Sequence, residues 1–102
     1  MRESFDLAVS RAVAHLSVLC EYCLPLVRPG GTFFAYKSES QLAEIEESKK
    51  ARFLLGAATE VDVWETERDN LPSQHIIIAI TKERPTPAAY PRKAGTPAKI
   101  PL

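Results

Sequence analysis

Two apolar runs flanking a helical stretch open the chain, and this alternation limits the folds open to it more than any other feature. "FDLAV", residues 5–9, is apolar with one polar interruption. "SRAVAHLSVLCEYCLPLV" follows at once, with apolar residues at 13, 16, 20, 23 and 27, and those steps of three and four are helical. "RPGG" is expected to stop this helix, because Pro25 has already removed one hydrogen bond and Gly30 and Gly31 accept positive φ. "TFFAYK" then reads as a second strand. A second helix is expected through "QLAEIEESKKARFLLG", capped by Ser38 with Gln41 three residues later, or by Ser40. It has acids early, Lys49, Lys50 and Arg52 late, and Gly56 at its stop. "TEVDVWE" alternates as a half-buried strand does, whereas "HIIIAI" is apolar throughout, as a strand covered on both faces must be.

The order strand, helix, strand, helix, strand, strand implies an α/β fold with a parallel sheet and helices on its faces. The last two strands, joined by "TERDNLPSQ", are expected to form an antiparallel hairpin at one edge. This is half of a doubly wound domain. "FDLAV" would lie at an open edge with its neighbours missing, which is not where a complete protein normally begins. Residues 1–84 are therefore read as part of a larger α/β domain and 85–102 as a Pro-rich tail.

The tail, "PTPAAYPRKAGTPAKIPL", has Pro at 85, 87, 91, 97 and 101, so it is expected to run extended or turning, as neither helix nor central strand. The chain is formally neutral, but from Lys82 onward five cations face the single acid Glu83, a net +4, so residues 1–81 sum to −4. A basic end on a neutral protein points to local contact with phosphate. No stretch is apolar over the eighteen or so residues that a membrane helix needs, and "MRESFD" is unlike a signal peptide, so a cytoplasmic protein is expected.

In open parallel sheets ligands bind beyond the carboxyl ends of the strands. The candidates are therefore Ser10 and Arg11 after the first strand, and Lys37 and Ser38 after the second. A guanidinium directly after a buried strand serves a phosphate, a base edge or a carboxylate, or else pairs with the next helix; both readings of Arg11 stay open. "CEYC" lies late in its helix and on its apolar stripe, which fits two small core residues better than a redox pair, and only His15 and His75 remain as further zinc ligands, at unsuitable spacing. No metal is expected. Tyr36 and Trp64, single aromatics on strands, are read as packing.

Three segments, "FDLAVSRAVAHLSVLCEYCLPLVRPGGTFFAYK", "LLGA" and "RPTPAAYPRKAGTPAKIPL", resemble the C-terminal half of the glucose-inhibited division protein B family, the small-subunit ribosomal RNA methyltransferase G enzymes. The most specific element is "SRAVA" joined to "YPRKAGTPAKIPL". The resemblance implies the C-terminal half of a Rossmann-like class I methyltransferase sheet that uses S-adenosyl-L-methionine to methylate guanine N7 in 16S rRNA of the small ribosomal subunit. By the same resemblance Arg11 lines the catalytic pocket, Ser10, Arg11 and Ala12 lie at the cofactor, and Arg92, Lys93 and Lys99 contact rRNA phosphates. The family's glycine-rich cofactor loop and the acid that holds the ribose belong to an N-terminal half that this chain lacks. No useful cofactor affinity is expected without them, and a separate chain supplying that half is one way to restore it. Gln74 stands where the family's last strand opens with Arg, and Lys37-Ser38 where it has Lys-Gly. The alternative, from another class, is a non-catalytic RNA-binding or interaction module that uses the basic tail.

Overall fold

The computed structural model describes residues 2–11, 13–66 and 75–102. Four strands, β1 (Phe5–Ser10), β2 (Val27–Ser38), β3 (Asp62–Thr66) and β4 (His75–Thr81), form one sheet in the order β1-β2-β4-β3. β1 and β2 are parallel, and β4 runs antiparallel to both β2 and β3. The expected α/β order and the antiparallel final pair are both present, and β1 lies at an edge of this sheet.

The first helix, α1 (Leu16–Cys23), is shorter than its apolar spacing suggested. Two side chains fix its start. His15 accepts the Ser17 N–H through Nδ1 at 3.1 Å, and Glu44 accepts the Leu16 N–H at 2.8 Å, so donors that a helix start leaves unpaired are satisfied there. Val13, read as the first residue of the apolar stripe, is exposed. Pro25 sits at the start of a 3₁₀ turn over Leu24–Leu26, the one terminal position where its missing N–H costs nothing, and Val27 is already extended.

"RPGG", expected to stop the first helix, lies beyond the end of that helix at Cys23, inside β2 as a bulge. Val27 pairs with Phe5 and Thr32 with Leu7, so Arg28 to Gly31 are looped out of the ladder. The turn is held by a Gly30 N–H bond to the Lys82 carbonyl and by an Arg28–Asp6 ion pair. A Cβ on Gly31 would lie 2.4 Å from the Asp6 carbonyl, so the close approach of the two strands requires glycine there.

The Ser38–Gln41 capping box forms as anticipated, but the second helix is broken into a 3₁₀ turn (Glu39–Gln41), α2 (Ala43–Glu47) and α3 (Lys49–Leu54). Buried Arg52 stitches the break. It donates to the Ile45 carbonyl at 2.7 Å, the Thr59 carbonyl at 2.6 Å and Ser48 Oγ at 3.3 Å. Gly56 ends α3 at φ +92°, and a Cβ there would lie 2.3 Å from the Arg84 carbonyl. Gly56→Ala should therefore cost about 2 kcal/mol or more, from backbone strain and from forcing apart the α3 end and the segment after β4, read as a lower urea midpoint. An unchanged midpoint would mean that this contact relaxes freely.

All the helices that touch the sheet lie on one face. There Leu16, Leu19, Cys20 and Leu24 meet Phe33, Ala35, Ile76, Ile78 and Ile80 in the core. The expectation that "HIIIAI" is covered on both faces is met on one only. Ile77 and Ala79 point to the other face, beside Phe34, Tyr36 and Trp64, where small Ala79 is buried among its neighbours and Ile77 is only half-buried. Half-exposed Leu7 and Val9 continue that apolar surface to the β1 edge.

The tail is docked, and contrary to expectation it includes a helical turn, α4 (Thr96–Lys99), which admits Pro97 in its first turn. Arg2 donates to the carbonyls of Thr86, Pro87 and Tyr90, and Thr86 Oγ1 donates to the Leu55 carbonyl at 2.6 Å. Arg92 embraces buried Glu21 through Nε at 2.9 Å, Nη2 at 2.8 Å and its backbone N–H at 2.8 Å.

Candidate functional site

β1 delivers Arg11 to the carboxyl end of the sheet, as strand topology predicts. Its exposed guanidinium lies over the ring of Tyr36 on the neighbouring strand, 4.6 Å from the centroid. An arginine stacked this way keeps its planar fork in place without an acid. Among the described residues Arg11 has no ion pair. Ser10 ends β1 in register with Ala35 and is half-buried. Ala12 lies outside the described residues, as does Gln74.

The segment after Arg11 is pinned from below by a group that spacing in the sequence did not expose. Lys37, buried at the end of β2, donates to the Ala14 carbonyl and pairs with Glu44 at 3.0 Å. Since Glu44 also caps Leu16, one carboxylate on α2 ties the end of β2 to the start of α1. No sequence pattern links residues 14, 16, 37 and 44, because they meet only when the helices fold back on the sheet. Lys37 was a candidate from topology alone; in the structure its role is to hold the loop behind Arg11.

The histidine and cysteines do not add chemistry. His15 Nδ1 accepts the Ser17 N–H, and its Nε2 lies 3.0 Å from Glu47, so both ring nitrogens are engaged within the fold. Burial pushes the Cys20 thiol up to about 12 and that of Cys23 to about 11, as suits core residues rather than nucleophiles. Among the described residues no three His, Cys, Asp or Glu side chains gather as a metal site, and no helix is long and apolar enough to cross a membrane.

The cations of the basic end sort into two groups. Lys82 is buried, donating to the Leu24 and Val27 carbonyls at 2.7 and 2.9 Å and pairing with Glu3 at 3.3 Å. Burial lowers its pKa, and Glu3 works against that shift. Arg92 is held by Glu21 and also donates to the Ile100 carbonyl at 2.6 Å. These two are structural braces. Lys93 and Lys99 are exposed, as is Arg84, and none of the three has an ion pair among the described residues.

The two ends of the sheet therefore carry different groups. The tail is anchored by Arg2 and Glu3, which precede β1, and by Glu21 and Tyr22 near the end of α1, which runs back toward the start of the sheet. Arg11 follows the far end of β1, six residues long, which places it roughly 20 Å away.

A family model described as rRNA small subunit methyltransferase G, GidB, matches residues 1–76. The protein named ribosomal RNA small subunit methyltransferase G from Geobacillus kaustophilus is 50% identical over 100% of this chain, and the match covers 42% of that protein. Its namesake in Ligilactobacillus salivarius is 46% identical over 99% of this chain and 42% of its own length. That of Symbiobacterium thermophilum is 50% identical over 99% and 41%. The chain thus spans about two-fifths of the length of these relatives, and it matches their C-terminal part. The four-strand sheet with its helices is compatible with a partial Rossmann-like methyltransferase fold, and the chain belongs to the GidB family.

Proposed function

We propose that this chain is the C-terminal part of an S-adenosylmethionine-dependent methyltransferase acting on guanine N7 of 16S rRNA, and that it does not methylate alone. The observation that carries this reading is Arg11, preset over Tyr36 at the carboxyl end of β1. Guanine N7 offers a free lone pair, so the task there is positioning in a dry pocket rather than proton removal. A guanidinium suits guanine because its fork matches acceptors on the base edge, with N7 left open at the moment of attack. Ser10 and Ala12, flanking Arg11, are the proposed cofactor neighbours.

The described residues do not make a cradle for S-adenosylmethionine by themselves. The Gly30-Gly31 pair is filled by the Asp6 carbonyl, the Val27 side chain and the Lys82 carbonyl, and it lies toward the start of β1, away from Arg11. The uncovered row of Leu7, Val9, Phe34, Tyr36, Ile77 and Trp64, next to the open β1 edge, is the surface on which a preceding half would complete the sheet.

Calorimetric titration of S-adenosylhomocysteine should therefore give no heat of binding with the 102-residue chain. Co-expression with the N-terminal part of the Geobacillus kaustophilus relative should restore binding. Binding by the chain alone would overturn the division of labour proposed here, and failure of the two pieces to co-purify would end the reading of the bare face.

A further inference from the structure

We infer that Phe53 and Arg84, with Lys49 and Lys50 beside them, form an RNA-anchoring platform at the end of the domain opposite Arg11. The inference rests on the RNA-substrate reading above and assigns that substrate a second point of contact. Phe53 is 55% exposed in the last turn of α3, a large apolar ring facing solvent on the side of the helix turned from the core. The Arg84 guanidinium lies 4.9 Å from its centroid. Arg84 is held there by donating through Nη2 to the Phe53 carbonyl at 3.2 Å and the Ala57 carbonyl at 3.5 Å, so the cation and the ring form one preset unit. Lys49 and Lys50 precede Phe53 by four and three residues, the spacing that puts side chains on one helix face. Both are exposed and without an ion pair among the described residues.

Stacking on an aromatic ring plus unpaired cations is how single-stranded nucleic acid is held without reading its sequence. Placement agrees with this use. β4 runs antiparallel to β1 and β2, so Arg84, just beyond β4, lies at the end where β1 begins and where the tail carries Lys93 and Lys99. Glu83 is the one acid in this stretch and is itself exposed. The roughly 20 Å from this end to Arg11 is about six nucleotides of stacked strand, so one RNA can lie on the platform while a base further along reaches the arginine.

The test is fluorescence anisotropy with a labelled single-stranded RNA of about twelve nucleotides, titrated with the full chain over a series of salt concentrations. Phe53→Ala is expected to weaken binding roughly tenfold with little change in salt slope, while Phe53→Tyr, which keeps the ring, binds as the native chain does. The double variant Lys49→Ala, Lys50→Ala is expected to lower the salt slope by about 1.4. Thermal melts accompany each variant, and if Phe53→Ala unfolds, the tyrosine and lysine variants decide. RNA binding that survives all of these but falls in Lys93→Ala, Lys99→Ala overturns the platform and leaves the RNA reading standing. No RNA binding by the native chain overturns both.

Discussion

Replacing Arg92 with methionine should lower the melting midpoint of the chain by about 10 °C or more. The cost lies in what the substitution leaves behind, a carboxylate at Glu21 that is buried in α1 and has lost its three guanidinium bonds. The tail would also lose a clamp, since the same guanidinium holds the Ile100 carbonyl. A pH series separates these effects. In the native chain burial by itself would raise the Glu21 pKa, but the side-chain and backbone hydrogen bonds of Arg92 outweigh it and hold the carboxyl below its usual value. A lowered pKa means that ionised Glu21 stabilises the fold above its unfolded pKa, and that this contribution fades as pH falls through the folded one. Without the guanidinium, burial is the larger influence and the pKa rises. Arg92→Met should therefore gain stability as pH falls from neutral toward about 4.3, opposite in sign to the native carboxylate's contribution. Parallel pH profiles for the two proteins would show that the tail does not desolvate Glu21.

Arg11→Ala is expected to reduce methylation by the reconstituted two-part enzyme about a hundredfold or more, with its melting midpoint shifted by no more than about 2 °C. The side chain is exposed, and it makes a ring contact rather than a buried ion pair, so little of the fold depends on it. The comparison requires the chain to be combined with the missing part of a relative, because activity is not expected from the 102 residues alone. Equal losses of activity and stability would reassign Arg11 to holding the fold. Unchanged methylation would remove it from the pocket altogether.

The docked tail changes how its function can be examined. Cutting the chain before Thr86 would remove basic charge, but it would also free Arg2, expose Glu21 and strip the cap from Leu55, so any loss of RNA affinity would be mixed with unfolding. Lys93 and Lys99 stand clear of these contacts, and neutralising them tests the tail's charge without loosening the strap.

Element order, the parallel first pair, the antiparallel last pair and the position of Arg11 beyond β1 could all be read from the chain, because they depend on local periodicity and on the few ways alternating strands and helices can stack. The Ser38–Gln41 cap was equally local. Element boundaries were not. α1 begins at Leu16 because Glu44, 28 residues later, supplies a cap, and "RPGG" became a bulge because Asp6 and Lys82 close around it. The tail's cations looked alike in sequence, yet Arg92 serves a buried glutamate while Lys93 and Lys99 face water. Local pattern thus determined which elements exist and which residues a strand delivers to its end. Only tertiary structure decided which charges are spent inside the protein and which stay exposed to water, because a charge is committed by burial and by neighbours distant in sequence.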